Sequence, residues 1–167
     1  MQQTLSFMPA PALVPPVTAA ILIVLWKVPS ARAWTRSIPL RGLILLHLTR
    51  FVGFYFLALA SRGELPRGFA LPAAYGDIAV AAGAALIGVW CVPPNTTTRR
   101  GAIYLWNALG LADILFVVGS AAWHTLTAPT SMLAFSRLPL VLLPAILVPV
   151  IIASHVVLFA RLHRGEA

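Results

Sequence analysis

Acidic side chains are scarce in this chain: Asp and Glu number 4 against 12 Lys and Arg, and charged residues make up only 10% of the 167. A soluble domain needs more solvated groups than that on its surface. Sulfur chemistry is equally thin. The one cysteine, Cys91, excludes an internal disulfide, a CxxC redox pair and a thiolate metal site made by this chain alone. No Gly-rich phosphate loop, HExxH or GxSxG occurs, so catalysis on a polar soluble substrate is not expected. The formal charge of +8 does not point to nucleic acid either, because the basic residues stand singly or in pairs between apolar stretches. The first ten residues hold no Lys or Arg ahead of the first apolar run, so they lack the basic region of a secretory signal, and the first helix is expected to persist.

What fills the sequence instead is apolar length. Hydrophobic residues make up 60% and mean hydropathy is +0.91. Five runs, at about 8–27, 39–60, 69–92, 101–124 and 138–162, each approach the roughly 20 residues that cross a hydrocarbon core. The expectation is an all-α integral membrane bundle of five transmembrane helices forming a single domain over 1–167. Pro11, Pro15 and Pro16 fall near a helix start, whereas Pro139, Pro144 and Pro149 should kink the last helix and free backbone carbonyls. Lys27, Arg32, Arg36 and Arg41, with Trp26 and Trp34 close by, suit a connector at headgroup level. In the third run, the four-residue spacings Ala79 to Gly83 and Ala81 to Ala85 would let helix backbones approach. Basic residues concentrate after the first and third runs and in the tail (Lys27, Arg32, Arg36, Arg41, Arg99, Arg100, Arg161, Arg164), against Arg62, Arg67 and Arg137 on the other side. By the positive-inside rule the N-terminus lies outside and the C-terminus in the cytoplasm.

Three charges interrupt the apolar runs: Arg50, Asp77 and Asp113. Each costs about 2.5–3.5 kcal/mol at a helix centre on insertion scales, so a partner or cavity is expected. Depth along the helices puts Arg50 and Asp113 together near the midplane as a buried ion pair. Its structural reading is a clamp; its functional reading is a proton relay in which Asp113 changes protonation. A cytoplasmic layer would collect His47, His155, Trp106 and Asn107. Two histidines at one depth are candidate haem b ligands or a quinone site, although helix histidines are more often hydrogen-bonded to a neighbour such as Ser154 or Thr49. An opposite layer would hold Asp77 with Tyr75, Trp123 and His124, and Arg50, Asp113, Asp77, Asn107 and Trp106 are taken together as the buried polar cluster.

The run Arg50-Phe51-Val52-Gly53, then GELP at 63–66, FALPA at 69–73, Gly76-Asp77, Trp106 to Gly110 with Asp113, and PLVLLP at 139–144 with Pro149 and His155 resembles a pattern of small uncharacterised bacterial multispan membrane proteins. The resemblance implies a multi-pass protein of the bacterial cytoplasmic membrane and no assigned reaction. His47 stands outside that pattern, which counts against the two-histidine haem site.

The functional expectation is a non-catalytic accessory or structural subunit of a larger membrane complex, packing against lipid, pigment, other subunits or a second copy. The alternative is a small redox or transport protein using His47 and His155, or a relay through Arg50 and Asp113.

Overall fold

The computed structural model describes residues 10–165, so the expected opening of the first run at Met8 and Pro9 lies outside the described residues. Among the described residues seven α-helices make up the bundle: α1 Val14–Lys27, α2 Pro29–Ser37, α3 Leu40–Leu45, α4 Gly53–Ser61, α5 Arg67–Trp90, α6 Thr97–Thr127 and α7 Val148–Arg164. A 3-10 segment, Leu46–Val52, joins α3 to α4, and a π segment, Leu143–Leu147, leads into α7. The stretches Leu40–Ser61, Arg67–Trp90, Thr97–Thr127 and Leu143–Arg164 are each long and apolar enough to cross a membrane. The first expected span is different. Its helix is short and turns by 95° into α2, so it is a fifth candidate only if the bent pair counts as one.

The bend follows from the sequence at 28–29. Pro29 lacks the N–H that would continue the helix and pushes Val28 into an extended conformation, φ −93° and ψ 113°. The connector expected between the first two runs is therefore an amphipathic helix, α2, with no buried residue and with Trp34 exposed. At the end of the chain, Leu138 does not open a helix as expected. Residues 138–141 form turns, and the π segment carries Pro144 just before α7 carries Pro149. A π turn is one way a helix accommodates a proline that cannot donate to the preceding turn.

One end of the bundle holds the turn after α4, where Gly63 at φ +72° takes the left-handed conformation that lets its N–H reach Ala60 O at 3.2 Å. The other end holds the 91–96 connection, where the Thr96 hydroxyl caps α6 by accepting from Arg99 N at 3.2 Å. At that second end Arg161 donates to Ile38 O at 2.6 Å, tying α7 to the chain after α2. The core divides accordingly. A larger apolar cluster around Phe56, Phe69, Phe135 and Ile151 lies toward the Gly63 end, and a smaller one around Ile44, Ile103, Leu158 and Leu162 toward the other. Between them lies a polar layer.

Candidate functional site

The polar layer is built on a helix that tightens where its charged residue sits. From Ile44, every third residue is buried: His47, Arg50, Gly53, Phe56 and Leu59. An α-helix would let that row drift around its axis, whereas three residues per turn keep it in line. The 3-10 segment Leu46–Val52 supplies that winding and so points His47 and Arg50 the same way, into the bundle. One turn further, Gly53 lies so close to α5 that a Cβ would stand 2.6 Å from Ala74 O. Only a residue without a side chain lets the Leu40–Ser61 stretch approach α5 this closely.

Arg50 is 1% exposed and reaches three acceptors on two other helices. Nε donates to Asp77 Oδ1 at 2.7 Å on α5, Nη1 to Gly110 O at 3.0 Å on α6, and Nη2 to Asp113 Oδ2 on α6. The Arg50 to Asp113 contact read from helix depth is present. Asp77, by contrast, does not belong to a separate layer with Tyr75, Trp123 and His124. It faces Arg50, while Tyr75 and Trp123 point outward at 64% and 66% exposure. His124 Nδ1 instead lies 2.9 Å from Ser120 O, one turn back on its own helix. The sequence held a signal for this: Asp77 lies on the row Ala70, Ala73, Ala74, Asp77, Val80, Ala81, Ala84, Gly88, the buried face of α5.

Glycines make the room. A methyl group at Gly76 would overlap the Asp113 carboxylate, and one at Gly83 would stand 2.7 Å from Trp106 Cδ1. The small residues of α5 thus act by seating side chains from α6, and of the four expected positions Gly83 does so while Ala79 faces outward. Trp106 completes the contact by donating from Nε1 to Val80 O at 3.1 Å.

The expected histidine layer also forms. Asn107 Nδ2 donates to His155 O at 3.0 Å, so its Oδ1 accepts from His155 Nδ1 at 2.8 Å. Ser154 donates to Ile151 O at 2.7 Å, and its oxygen accepts from His47 Nε2 at 3.1 Å. These bonds leave His47 Nδ1 and His155 Nε2 buried without a hydrogen-bond partner among the described residues. The rings pack on each other with centroids 4.2 Å apart and planes inclined by 44°, and Trp106 lies edge-on to His47 at 5.1 Å.

That packing does not fit the haem reading. Axial ligands lie on opposite faces of a porphyrin, and rings already in van der Waals contact, at about 3.5–4.0 Å between atoms, leave no slot for the macrocycle. The quinone reading finds no support at the cavity that reaches the polar core. That cavity, of about 50 Å³, is lined by Arg50 and Asp77 together with apolar residues, and by neither histidine. Among the described residues no group of three or more His, Cys, Asp or Glu is placed to hold a metal ion.

The two polar groups meet at Gly110. Its carbonyl accepts from Arg50, and its α-carbon abuts the other group: a Cβ there would be 2.7 Å from His155 Cε1 and 3.2 Å from His155 Nε2. A continuous polar seam therefore runs from Asp77 and Asp113 through Arg50 and Gly110 to His155 and His47.

The family model for a domain of unknown function, DUF8737, matches residues 8–163. The chain belongs to the DUF8737 family. No curated protein and no solved structure matches it. The uncharacterised family expected from the sequence pattern is thus found, and the seam from Asp77 to His47 lies wholly within the matched part of this DUF8737 chain.

Proposed function

We propose that this DUF8737 protein is a non-catalytic structural or accessory subunit of a membrane complex. In this reading it is a multi-pass protein of the cytoplasmic membrane of a bacterium, with five membrane-inserted elements, its N-terminus outside and its C-terminus in the cytoplasm. The single observation that carries the reading is Arg50, which joins the Leu40–Ser61 stretch to α5 and α6 through Asp77, Gly110 and Asp113. A guanidinium with acceptors on two neighbouring helices fixes their register, and in hydrocarbon an unpaired charge has nowhere better to go.

The outer surface supports the same reading. Leu86, Leu105, Leu109, Leu115 and Phe116 are more than half exposed along α5 and α6. Such faces are stable against lipid tails or the helices of another subunit, not against water. Amphipathic α2, bent 95° from α1 and carrying Arg32, Trp34 and Arg36, suits the headgroup region on the side where basic residues concentrate.

The test is gentle extraction from native membranes, followed by size separation, an absorption spectrum and mass spectrometry. Other membrane subunits in fixed stoichiometry, with no pigment retained by this chain alone, are the expected result. A chain that leaves alkaline-washed membranes with the soluble fraction, or that stays solitary in every mild detergent, contradicts the reading.

A further inference from the structure

We propose that Arg50, Asp77 and Asp113 form a binding site for one exchangeable proton, held by two carboxyl groups that share a single guanidinium and facing the apolar cavity toward the Gly63 end. The proposal rests on the membrane placement given above but not on the subunit role.

The first support is a charge count. Two carboxylates meet one guanidinium, with Asp77 Oδ1 on Nε and Asp113 Oδ2 on Nη2. If both acids were ionised, the cluster would carry one net negative charge in the interior of the bundle. Among the described residues, no cation other than Arg50 is bonded to either carboxylate. The third acceptor on Arg50 is a carbonyl, Gly110 O. Beyond Gly110 stands His155, whose Nδ1 donates to Asn107, with His47 packed on its ring and held by Ser154. The walls contributed by α1, the 129–136 segment and α7 are apolar at Val14, Phe135 and Ile151. An uncompensated charge at such depth costs several kcal/mol. One proton removes it, as in other sites where two carboxyl groups share one proton.

The second support is access. The cavity of about 50 Å³ is lined by Arg50 and Asp77 and by the rings of Phe56, Phe69 and Phe135. Asp77 is nine-tenths buried, and its Oδ1 is bonded to Arg50 while Oδ2 accepts no hydrogen bond from the described residues. A water needs about 10–15 Å³ and two or more polar partners. The cavity floor offers both in the Asp77 carboxyl and the guanidinium. Asp113 is the more exposed acid, its side chain 18% accessible against 5% for Asp77, but of the two only Asp77 lines this cavity, so Asp77 is the member that proton exchange along the cavity reaches.

Dicyclohexylcarbodiimide tests the site, because this apolar reagent adds to protonated carboxylic acids and leaves carboxylates alone. In purified protein at neutral pH, mass spectrometry should find one equivalent, on Asp77. Asp113→Asn should lower labelling of Asp77 at least tenfold, since a lone carboxylate then balances Arg50. Arg50→Gln should raise labelling to both acids. Labelling of Asp77 that Asp113→Asn leaves unchanged overturns the shared proton, and so does unlabelled wild type beside a labelled Arg50→Gln. Should the variants fail to fold, infrared spectroscopy of the wild type decides. A protonated-acid carbonyl band that shifts in deuterated buffer is expected; its absence overturns the proposal, including the case in which a metal cation balances the cluster. Co-purification with other subunits is unaffected by either result, so the subunit reading stands or falls separately.

Discussion

Gly76 on α5 and Asp113 on α6 occupy one space: a Cβ on the glycine would overlap the Asp113 carboxylate. This missing side chain is what admits Asp113 to Arg50. Gly76→Ala should therefore push α6 away and break the contact to Nη2. Overpacking a tight interior costs about 1–3 kcal/mol, and the loss of a buried charge contact adds to it. A fall in the midpoint of thermal unfolding in detergent larger than that of Gly119→Ala, whose Cβ would meet nothing within 4 Å, checks this.

Gly53 makes the equivalent approach between the Leu40–Ser61 stretch and α5, but against backbone. A Cβ would stand 2.6 Å from Ala74 O, and a carbonyl in a helix cannot rotate away. Gly53→Ala should then destabilise by at least the roughly 1–3 kcal/mol of a core overpacking. Gly42→Ala, where the nearest atom is an Ile38 methyl at 3.5 Å, should be close to neutral. Unfolding midpoints of the two variants, measured side by side, settle the comparison.

Asn107 and His155 exchange two hydrogen bonds across α6 and α7. Asn107→Leu keeps the γ-branched shape, though with a bulkier side chain, and leaves His155 Nδ1 and a backbone carbonyl facing an apolar group. An unsatisfied buried polar group costs about 1–3 kcal/mol, and the ring loses the bond that selects its tautomer. The expected outcome is lower stability together with a changed imidazole nitrogen spectrum by NMR in the Asn107→Leu protein.

Much of this arrangement was legible in the chain. Four apolar runs fall within a few residues of the helices that formed, because hydrophobic length is a strong signal. Arg50 and Asp113 meet, as their depths require. Asp77 was misplaced for a specific reason: counting depth from one helix end ignores tilt, and the buried row from Ala70 to Gly88 was the better guide. The three-residue spacing from Ile44 to Leu59 also stood in the sequence, but a 3-10 segment inside a long apolar helical stretch needs a packing reason that only the neighbouring helices supply. The histidines illustrate the converse. Equal depth was right for His47 and His155, yet depth carries no information on whether two rings face across a gap or lie in contact. The 95° turn after Lys27 was hidden because Pro29 can either open a helix or end one.

The orientation proposed for the membrane has its own check. In a Cys91→Ala background, single cysteines placed at Glu64 and Asn95 report opposite ends of the bundle. A membrane-impermeant maleimide added to intact cells should label Glu64→Cys, and Asn95→Cys only after the membrane is opened.

Arg50 ties three helical stretches together through Asp77, Gly110 and Asp113, and the most direct measurement of that clamp is a double-mutant cycle with Asp113. Arg50→Met alone leaves two carboxyl groups without their guanidinium, and breaking a buried pair from one side costs about 3–5 kcal/mol. Asp113→Asn alone should cost less, because Arg50 keeps Asp77 and Gly110 O. The double variant should be less destabilised than the sum of the two, by about 0.5–3 kcal/mol, the range of coupling between residues in contact. Additive losses would mean that Arg50 and Asp113 do not act together, and would contradict the clamp.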